Sequence, residues 1–374
     1  MDFIFSSEQT MLQDSASRFV QGAYGFDQYR NSLKMKGQSD GAIWRQIAEC
    51  GWLGLPVTEA AGGLGGSTLD MALVAEALGE GLVLEPYIAG AVIPGFLLAR
   101  MGSSDHREVL SALIEGQAQL ALAYAERDGR FDPAYCALKA QAEAGGYRLA
   151  GSKHCVLNAP NADYLIVSAR ESDAPGSAEG ISVFVVKATE PGISLQPYAI
   201  MGGGVAADVR FDDVVVSANA RLADGYDALT AALDVAVVAE CARALGAMKA
   251  MYERTKSYTR TRKQFGMPIA DFQVIQHRLV DMLIEIEQAR SMVLMAAVKV
   301  DGASAAERSY AASATKAYLC KASRYVSQQA VQLHGGIGMT EELDVGHYFR
   351  LLTAFWSRYG DLDFHLSRLD SLDT

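Results

Sequence analysis

Two short stretches in the last third of the chain carry side chains and turns of the kind that hold a phosphate. The first is Arg262-Lys263-Gln264-Phe265-Gly266-Met267-Pro268-Ile269, followed by Phe272-Gln273-Val274-Ile275-Gln276-His277. Gly266 and Pro268 interrupt the helical pattern, which places Arg262 and Gln264 at an exposed helix C-terminus. An arginine there offers a planar fork of N–H donors that fits a phosphate bidentately. The second is Gln332-Leu333-His334-Gly335-Gly336-Ile337-Gly338-Met339, where glycines end a helix and open backbone N–H groups to a ligand. Each stretch alone also reads structurally, as a charged helix end with a Gly-Pro turn and as a glycine C-cap. A third glycine-rich run, Ala61-Gly62-Gly63-Leu64-Gly65-Gly66-Ser67, precedes a helix from Leu69 to Leu78. No strand-like run leads into it and no Gly-Lys-Ser/Thr follows, so it reads as a turn. His277 shares its helix with Gln273 and Gln276 and reads as a hydrogen-bonded structural histidine.

The elements that must position these residues fall into three successive textures. Residues 1–118 read as an N-terminal helical domain, with a helix capped around Ser7-Glu8-Gln9 and another over Ala42 to Cys50. Residues 119–224 read as a central β-domain, a small barrel or sandwich, with strands at Leu120 to Ala125, Tyr147-Arg148-Leu149, Lys153 to Leu157, Tyr164 to Val167, Ile181 to Val186 and Val209-Arg210-Phe211. Residues 225–374 read as a C-terminal four-helix bundle, with segments over about Leu229–Thr261, Phe272–Val300, Ala305–Leu333 and from Val345 onward. The fold class is therefore α+β.

Composition narrows the partners. The chain has 374 residues, half of them hydrophobic, enough for a full core, and a net charge of -11. That balance argues against nucleic acid or an anionic membrane as partner, while leaving room for a local basic pocket. The five cysteines (Cys50, Cys136, Cys155, Cys241, Cys320) form no CxxC and read as reduced, mostly buried thiols. The N-terminus has no basic region followed by an apolar run, and the most apolar stretch, Leu82 to Leu98, contains Glu85, Pro86 and Pro94. A cytoplasmic protein without membrane insertion is expected.

In this order and on this α–β–α plan, the two glycine-bearing stretches resemble the acyl-CoA dehydrogenase family over essentially the whole chain. Tyr124 to Glu126, Gly151-Ser152-Lys153 with Asn158, and Val209-Arg210-Phe211-Asp212-Asp213-Val214 match as well. Met282 to Met292 and Val345-Gly346-His347-Tyr348-Phe349 look most like the small-subunit branch of heteromeric bacterial enzymes of the pimeloyl-CoA and steroid side-chain types. The resemblance implies FAD-dependent α,β-dehydrogenation of an acyl-CoA thioester, with electrons passed to electron-transfer flavoprotein, and FAD lying between subunits. It implies that Arg262, Gln264 and Phe265, with Gln332, Gly335, Gly336 and Gly338, hold the ADP half of a neighbouring subunit's FAD, and makes His334 a further candidate contact. It also implies a homologous acyl-CoA dehydrogenase subunit as partner in an α2β2 heterotetramer, and a place in β-oxidation-type catabolism of steroid or dicarboxylate thioesters.

Against that pattern several residues depart. The family's base, a Glu before Gly-Thr, is replaced by Tyr359 within Arg358-Tyr359-Gly360-Asp361. A phenol with a pKa of about 10 is a poor base at neutral pH. A second family position for the base corresponds to Ala236, and the Glu that relatives carry three residues before the helix glycine is Arg243. Glu240 shares one helical stripe with Ala236 and Arg243 among Val235, Val237, Val238 and Ala239. Such surroundings raise a carboxyl pKa, as a general base needs; the alternative is an i,i+3 ion pair with Arg243. Asp234 and Arg243 are possible CoA contacts. The family's Thr-Glu-Pro is Ala125-Glu126-Arg127 here and its Trp-x-Thr is Cys155-Val156-Leu157, so the flavin-ring contacts are missing. The chain is expected to work as one subunit of a heteromeric dehydrogenase, with the base on the partner or at Glu240, to be a catalytically silent partner lending the ADP grip, or to be a self-sufficient homotetramer using Glu240.

Overall fold

Ser6 opens the first helix, its hydroxyl accepting from the Gln9 amide at 3.1 Å while the Gln9 side chain accepts from the Ser6 N–H at 3.1 Å. The cap thus falls one residue before Ser7, because Ser6 is the residue with extended backbone. The computed structural model describes residues 5–35, 37–172, 174–302 and 304–372. Its first helices are α1 (Ser7–Ala23), α2 (Phe26–Lys34), α3 (Gly41–Glu49), α4 (Thr68–Glu80), α5 (Ile93–Met101) and α6 (Arg107–Ile114). Strands follow as β1 (Leu120–Ala123), β2 (Lys139–Glu143), β3 (Gly146–Leu157), β4 (Tyr164–Arg170), β5 (Ile181–Lys187), β6 (Ile193–Ala199), β7 (Val205–Ser217) and β8 (Arg221–Asp224). Then come α7 (Tyr226–Thr261), a hairpin of β9 (Lys263–Gln264) and β10 (Met267–Pro268), α8 (Gln273–Gly302), α9 (Ala305–His334), α10 (Val345–Phe355) and α11 (Leu362–Leu372).

The chain forms two compact units, one of Met1–Asn31, Thr68–Val83 and Val237–Thr374, the other of Ser32–Ser67 and Leu84–Ala236. The second unit holds one sheet in the order β6-β7-β3-β2-β4-β5-β8, with β1 pairing parallel to β4. Its core is built from Leu149, Leu165, Phe184, Val209 and Phe211. Strands β4 and β5 are buried along nearly their whole length, as their unbroken Leu-Ile-Val and Val-Phe-Val runs require. The β3–β7 register shifts between Lys153 and Val156, and inside that bulge Cys155 takes a positive φ of 51°.

In the first unit α9 is the central helix, packed by α8, α10 and α11. It can be enclosed because its buried face is made of small residues such as Ala311, Ala312, Ala322, Ser323, Ser327 and Ala330. Ser323 and Ser327 satisfy their hydroxyls on carbonyls one turn back, at 3.5 and 3.2 Å. Helices α4 and α7 cross backbone to backbone at two glycines. A Cβ on Gly79 would stand 2.0 Å from the Arg243 carbonyl oxygen, and one on Gly246 would stand 1.9 Å from that of Glu76. The last segment, expected as one helix from Val345, is two: Tyr359 (φ 54°) and Gly360 (φ 116°) turn the chain between α10 and α11.

Candidate functional site

The two sequence-selected stretches meet at one end of the first unit. Tyr258, one turn before Arg262 on α7, stacks its ring on His334 with centroids 4.4 Å apart, and its hydroxyl donates to the His334 carbonyl at 3.4 Å. That contact joins the α7 terminus to the α9 terminus. Sequence reasoning missed Tyr258; its position four residues before Arg262, on the same helix face, is the signal that could have found it.

Around that joint the gripping groups are open. Arg262 and Gln332 are exposed, and among the described residues neither makes a side-chain hydrogen bond or ion pair. Gln264 donates to the Lys263 carbonyl at 2.8 Å, which leaves its own amide oxygen available. Phe265 is 93% exposed at the hairpin tip with a φ of 54°. Gly335 and Gly336 are exposed, and a Cβ on either would meet nothing within 4 Å, so a ligand can approach the backbone there. Gly338 is buried against His334. The His334 ring is also buried, its Nδ1 lying 2.8 Å from the Ala330 carbonyl; burial lowers its pKa, which keeps it neutral. It supports the turn rather than facing solvent. An extended ligand with a diphosphate and an aromatic base fits this set: a free guanidinium, free amides, open glycine backbone and an exposed phenyl ring. His277, expected to be tied into its helix face, is instead exposed on α8 and makes no side-chain hydrogen bond among the described residues.

Elsewhere in the same unit a charge cluster is buried. Glu240, 5% exposed, faces Arg358 Nη1 with one oxygen at 3.3 Å and Arg243 Nη1 with the other at 3.8 Å. Burial pushes its pKa up, but Arg358, Arg243 and Lys316 together outweigh that and hold the carboxyl below the ordinary glutamate value. The expected upward shift is therefore corrected: the apolar neighbours are real, and two guanidinium groups override them. Arg243 also donates to the Val83 carbonyl at 3.0 Å, and its enclosure lowers its own pKa. Asp234, the other possible CoA contact, is fully buried.

The Trp356–Asp361 turn, which carries Tyr359, is held from several sides. Lys316, fully buried, donates to the Phe355 carbonyl at 2.5 Å, and Trp356 Nε1 donates to Ser323 Oγ at 3.0 Å. The His365 ring lies between Ser313 Oγ and the Tyr359 carbonyl, both at 3.1 Å, and burial pushes its pKa down to about 3. Arg358 in this turn is the residue that reaches Glu240. Glu240 and the turn carrying Tyr359 thus belong to one network.

In the second unit Lys153, 1% exposed, donates to Glu126 Oε1 at 2.8 Å, to Ser168 Oγ at 3.0 Å and to the Tyr124 carbonyl at 3.1 Å. Glu126 also accepts from the Ala137 and Leu138 amides at 2.9 and 3.0 Å. This is a pinning network for the sheet. At the β3 bulge Asp208 Oδ1 accepts from the Cys155 amide at 3.1 Å and from the Tyr198 hydroxyl at 3.0 Å, and lies 2.7 Å from His154 Nδ1. Cys50 and Cys155 are exposed thiols, while Cys136, Cys241 and Cys320 are buried.

Comparison with known proteins gives a consistent assignment. Residues 6–117, 121–214 and 223–356 match the N-terminal, middle and C-terminal domains of acyl-CoA dehydrogenase. The L-prolyl-(peptidyl-carrier protein) dehydrogenase of a Serratia species is 31% identical over 360 residues, covering 92% of this chain and 90% of its own length. The ChsE4–ChsE5 complex from Mycobacterium tuberculosis contains a chain that superposes with a TM-score of 0.90 at 26% identity, over 99% of this chain and 98% of that one. The structure of PigA with FAD and proline matches equally, with a TM-score of 0.90 at 26% identity over 99% and 98% of the two chains. No helix among the described residues is long and apolar enough to cross a membrane.

Proposed function

This chain belongs to the acyl-CoA dehydrogenase family, and on that premise we propose that it is one of two unlike subunits of a heteromeric acyl-CoA dehydrogenase. In this reading it grips the ADP half of an FAD, and proton abstraction is left to its homologous partner, in an α2β2 heterotetramer that passes electrons to electron-transfer flavoprotein. The substrate is an acyl-CoA thioester. ChsE4–ChsE5, a two-protein complex, is among its structural neighbours, and a bulky steroid or dicarboxylic acyl group is the substrate class we favour.

Bound FAD would supply the hydride acceptor for the acyl group's β-carbon. The rest falls to side chains. Arg262 would hold the diphosphate with its guanidinium N–H donors, Gln264 and Gln332 would add amide contacts, and the exposed Phe265 ring would pack on the nucleotide. Gly335 and Gly336 let the ligand reach main-chain N–H groups, and His334, stacked on Tyr258, fixes the turn beneath them.

The observation that carries the silent-subunit reading is the state of Glu240. Each of its oxygens faces a guanidinium, its pKa is lowered, and one of those arginines comes from the very turn where the family base is replaced by Tyr359. A general base needs a free lone pair aimed at a substrate proton and a pKa brought up toward neutrality. Glu240 has neither. Arg262 and Gln332, by contrast, are exposed and make no side-chain hydrogen bond or ion pair among the described residues.

The test is Arg262→Ala in the assembled complex, read as FAD dissociation by flavin fluorescence. Loss of hydrogen bonds to a charged group of about 1.5–3 kcal/mol predicts on the order of 10- to 100-fold weaker retention. Unchanged retention contradicts the grip.

A further inference from the structure

The turn that carries Gly335, Gly336 and Gly338 continues to Asp344 and runs back over the start of α10. A Cβ on Gly346 would come within 3.1 Å of the Gly338 carbonyl, so helix and turn are in direct contact. The tether between them is polar. Glu341 accepts from Arg350 Nη1 at 2.7 Å and from Nη2 at 3.0 Å, a bidentate pair at the exposed end of the segment. Behind it His347, whose side chain is 1% exposed, touches both partners. Its Nδ1 lies 2.7 Å from Arg350 Nη2 and 3.1 Å from the Tyr29 hydroxyl. Its Nε2 lies 3.4 Å from the Glu341 carbonyl and 3.4 Å from a Glu341 carboxylate oxygen. The rings of Phe26 and Tyr29 stand edge-on to it at 5.3 and 5.0 Å.

Arg350 Nη2 lies 2.7 Å from Nδ1 and 3.4 Å from Nε2. A guanidinium can only donate, so we assign the nearer nitrogen, Nδ1, as the acceptor and the single ring proton to Nε2, on the side of the Glu341 acceptors. A second proton on Nδ1 would point an N–H at the Arg350 N–H, and that contact cannot form.

We propose that His347 is a positioning residue for the nucleotide-gripping turn: its neutral ring holds Arg350 in the orientation that clamps Glu341, and protonation of Nδ1 releases the turn. The inference rests on the gripping role proposed for Gly335 and its neighbours. The charged and titratable groups facing the ring are Tyr29 from α2, Glu341 and Asp344 from the turn, and Arg350 from α10, with Arg30 of α2 acting on Glu341 and Arg243 of α7 on Tyr29. Burial first, and Arg350 next, lower the His347 pKa, so the neutral clamp holds at neutral pH and is lost on acidification.

The experiment is hydrogen–deuterium exchange of the 335–344 segment in the assembled complex between pH 8 and 5, corrected for intrinsic rates and referenced to the interior of α9. Protection of the wild-type segment is expected to fall about tenfold on acidification, whereas His347→Gln, whose amide oxygen still accepts from Arg350 and cannot titrate, stays flat. Tyr29→Phe, which removes a hydrogen bond to the neutral ring, is expected to move the midpoint to higher pH, and gives a second readout if the glutamine variant does not fold. Equal pH profiles in wild type and His347→Gln, or an unmoved midpoint in Tyr29→Phe, overturn the proposal. FAD retention is followed in parallel. Loosening of the segment without loss of FAD upholds the clamp and counts against the gripping role; FAD loss that depends on Arg262 but not on His347, with no loosening, does the reverse.

Discussion

At Glu240 two carboxylate oxygens meet two guanidinium groups, and the consequence is mechanical before it is chemical. Arg358 is drawn onto α7 from 118 residues away, which fixes the turn between α10 and α11. Replacing Glu240 with Gln leaves both arginines enclosed without their anion, and breaking a buried pair in this way costs roughly 3–5 kcal/mol. We therefore expect Glu240→Gln to lower the thermal midpoint by several degrees while turnover of the complex changes less than about threefold; loss of a general base would cost on the order of 10² to 10⁴ in rate. The pairing of Glu240 with Arg243 was legible as an i,i+3 stripe on one helix. Arg358 was not, because nothing local links it to α7, and without it the sign of the pKa shift came out wrong. Arg262 and Gln332 were legible for the opposite reason: their exposure follows from local chain breaks at Gly266, Pro268 and Gly335.

Between elements, the contact of α4 with α7 is set by absent side chains. Gly246 brings the α7 backbone against the Glu76 carbonyl, and Lys249 then bridges Glu76 and Glu80, both at 2.6 Å. Burial of that lysine is offset by its two carboxylates, and its pKa is raised. Gly246→Ala must push the helices apart, so a destabilisation of about 3 kcal/mol or more is expected from chemical denaturation, with FAD binding weakened only through loss of folded protein. Long helices were readable from period and breaks: α7, α8 and α9 start and stop within a few residues of the positions expected. Short polar strands were not. β2 reads Lys-Ala-Gln-Ala-Glu with only Ala140 buried, and β6 alternates only over Ile193-Ser194-Leu195-Gln196, its apolar residues half-buried, before Pro197 breaks the pattern. Their pairing with β3 and β7 supplies the order that their composition lacks.

For the whole molecule, the family assignment rests on all three domains of acyl-CoA dehydrogenase matched in order. The division of labour proposed here rests on what each compact unit keeps. In the proposed reading the first carries the nucleotide grip, and it ties Glu240 to the turn that bears Tyr359 through Arg358. The second keeps the Lys153–Glu126 pin and has Cys155 and Leu157 where the family resemblance implies Trp and Thr. On the reading we propose, such a chain completes a site that another chain runs. The most direct measurement is the FAD content of this chain purified alone, beside the same chain co-expressed with an acyl-CoA dehydrogenase homologue that carries the Glu and the Trp-x-Thr. The account predicts a colourless protein alone and about one FAD per pair of unlike subunits in the complex, bleached by acyl-CoA. One FAD per chain in the isolated protein, bleached by acyl-CoA without a partner, contradicts it.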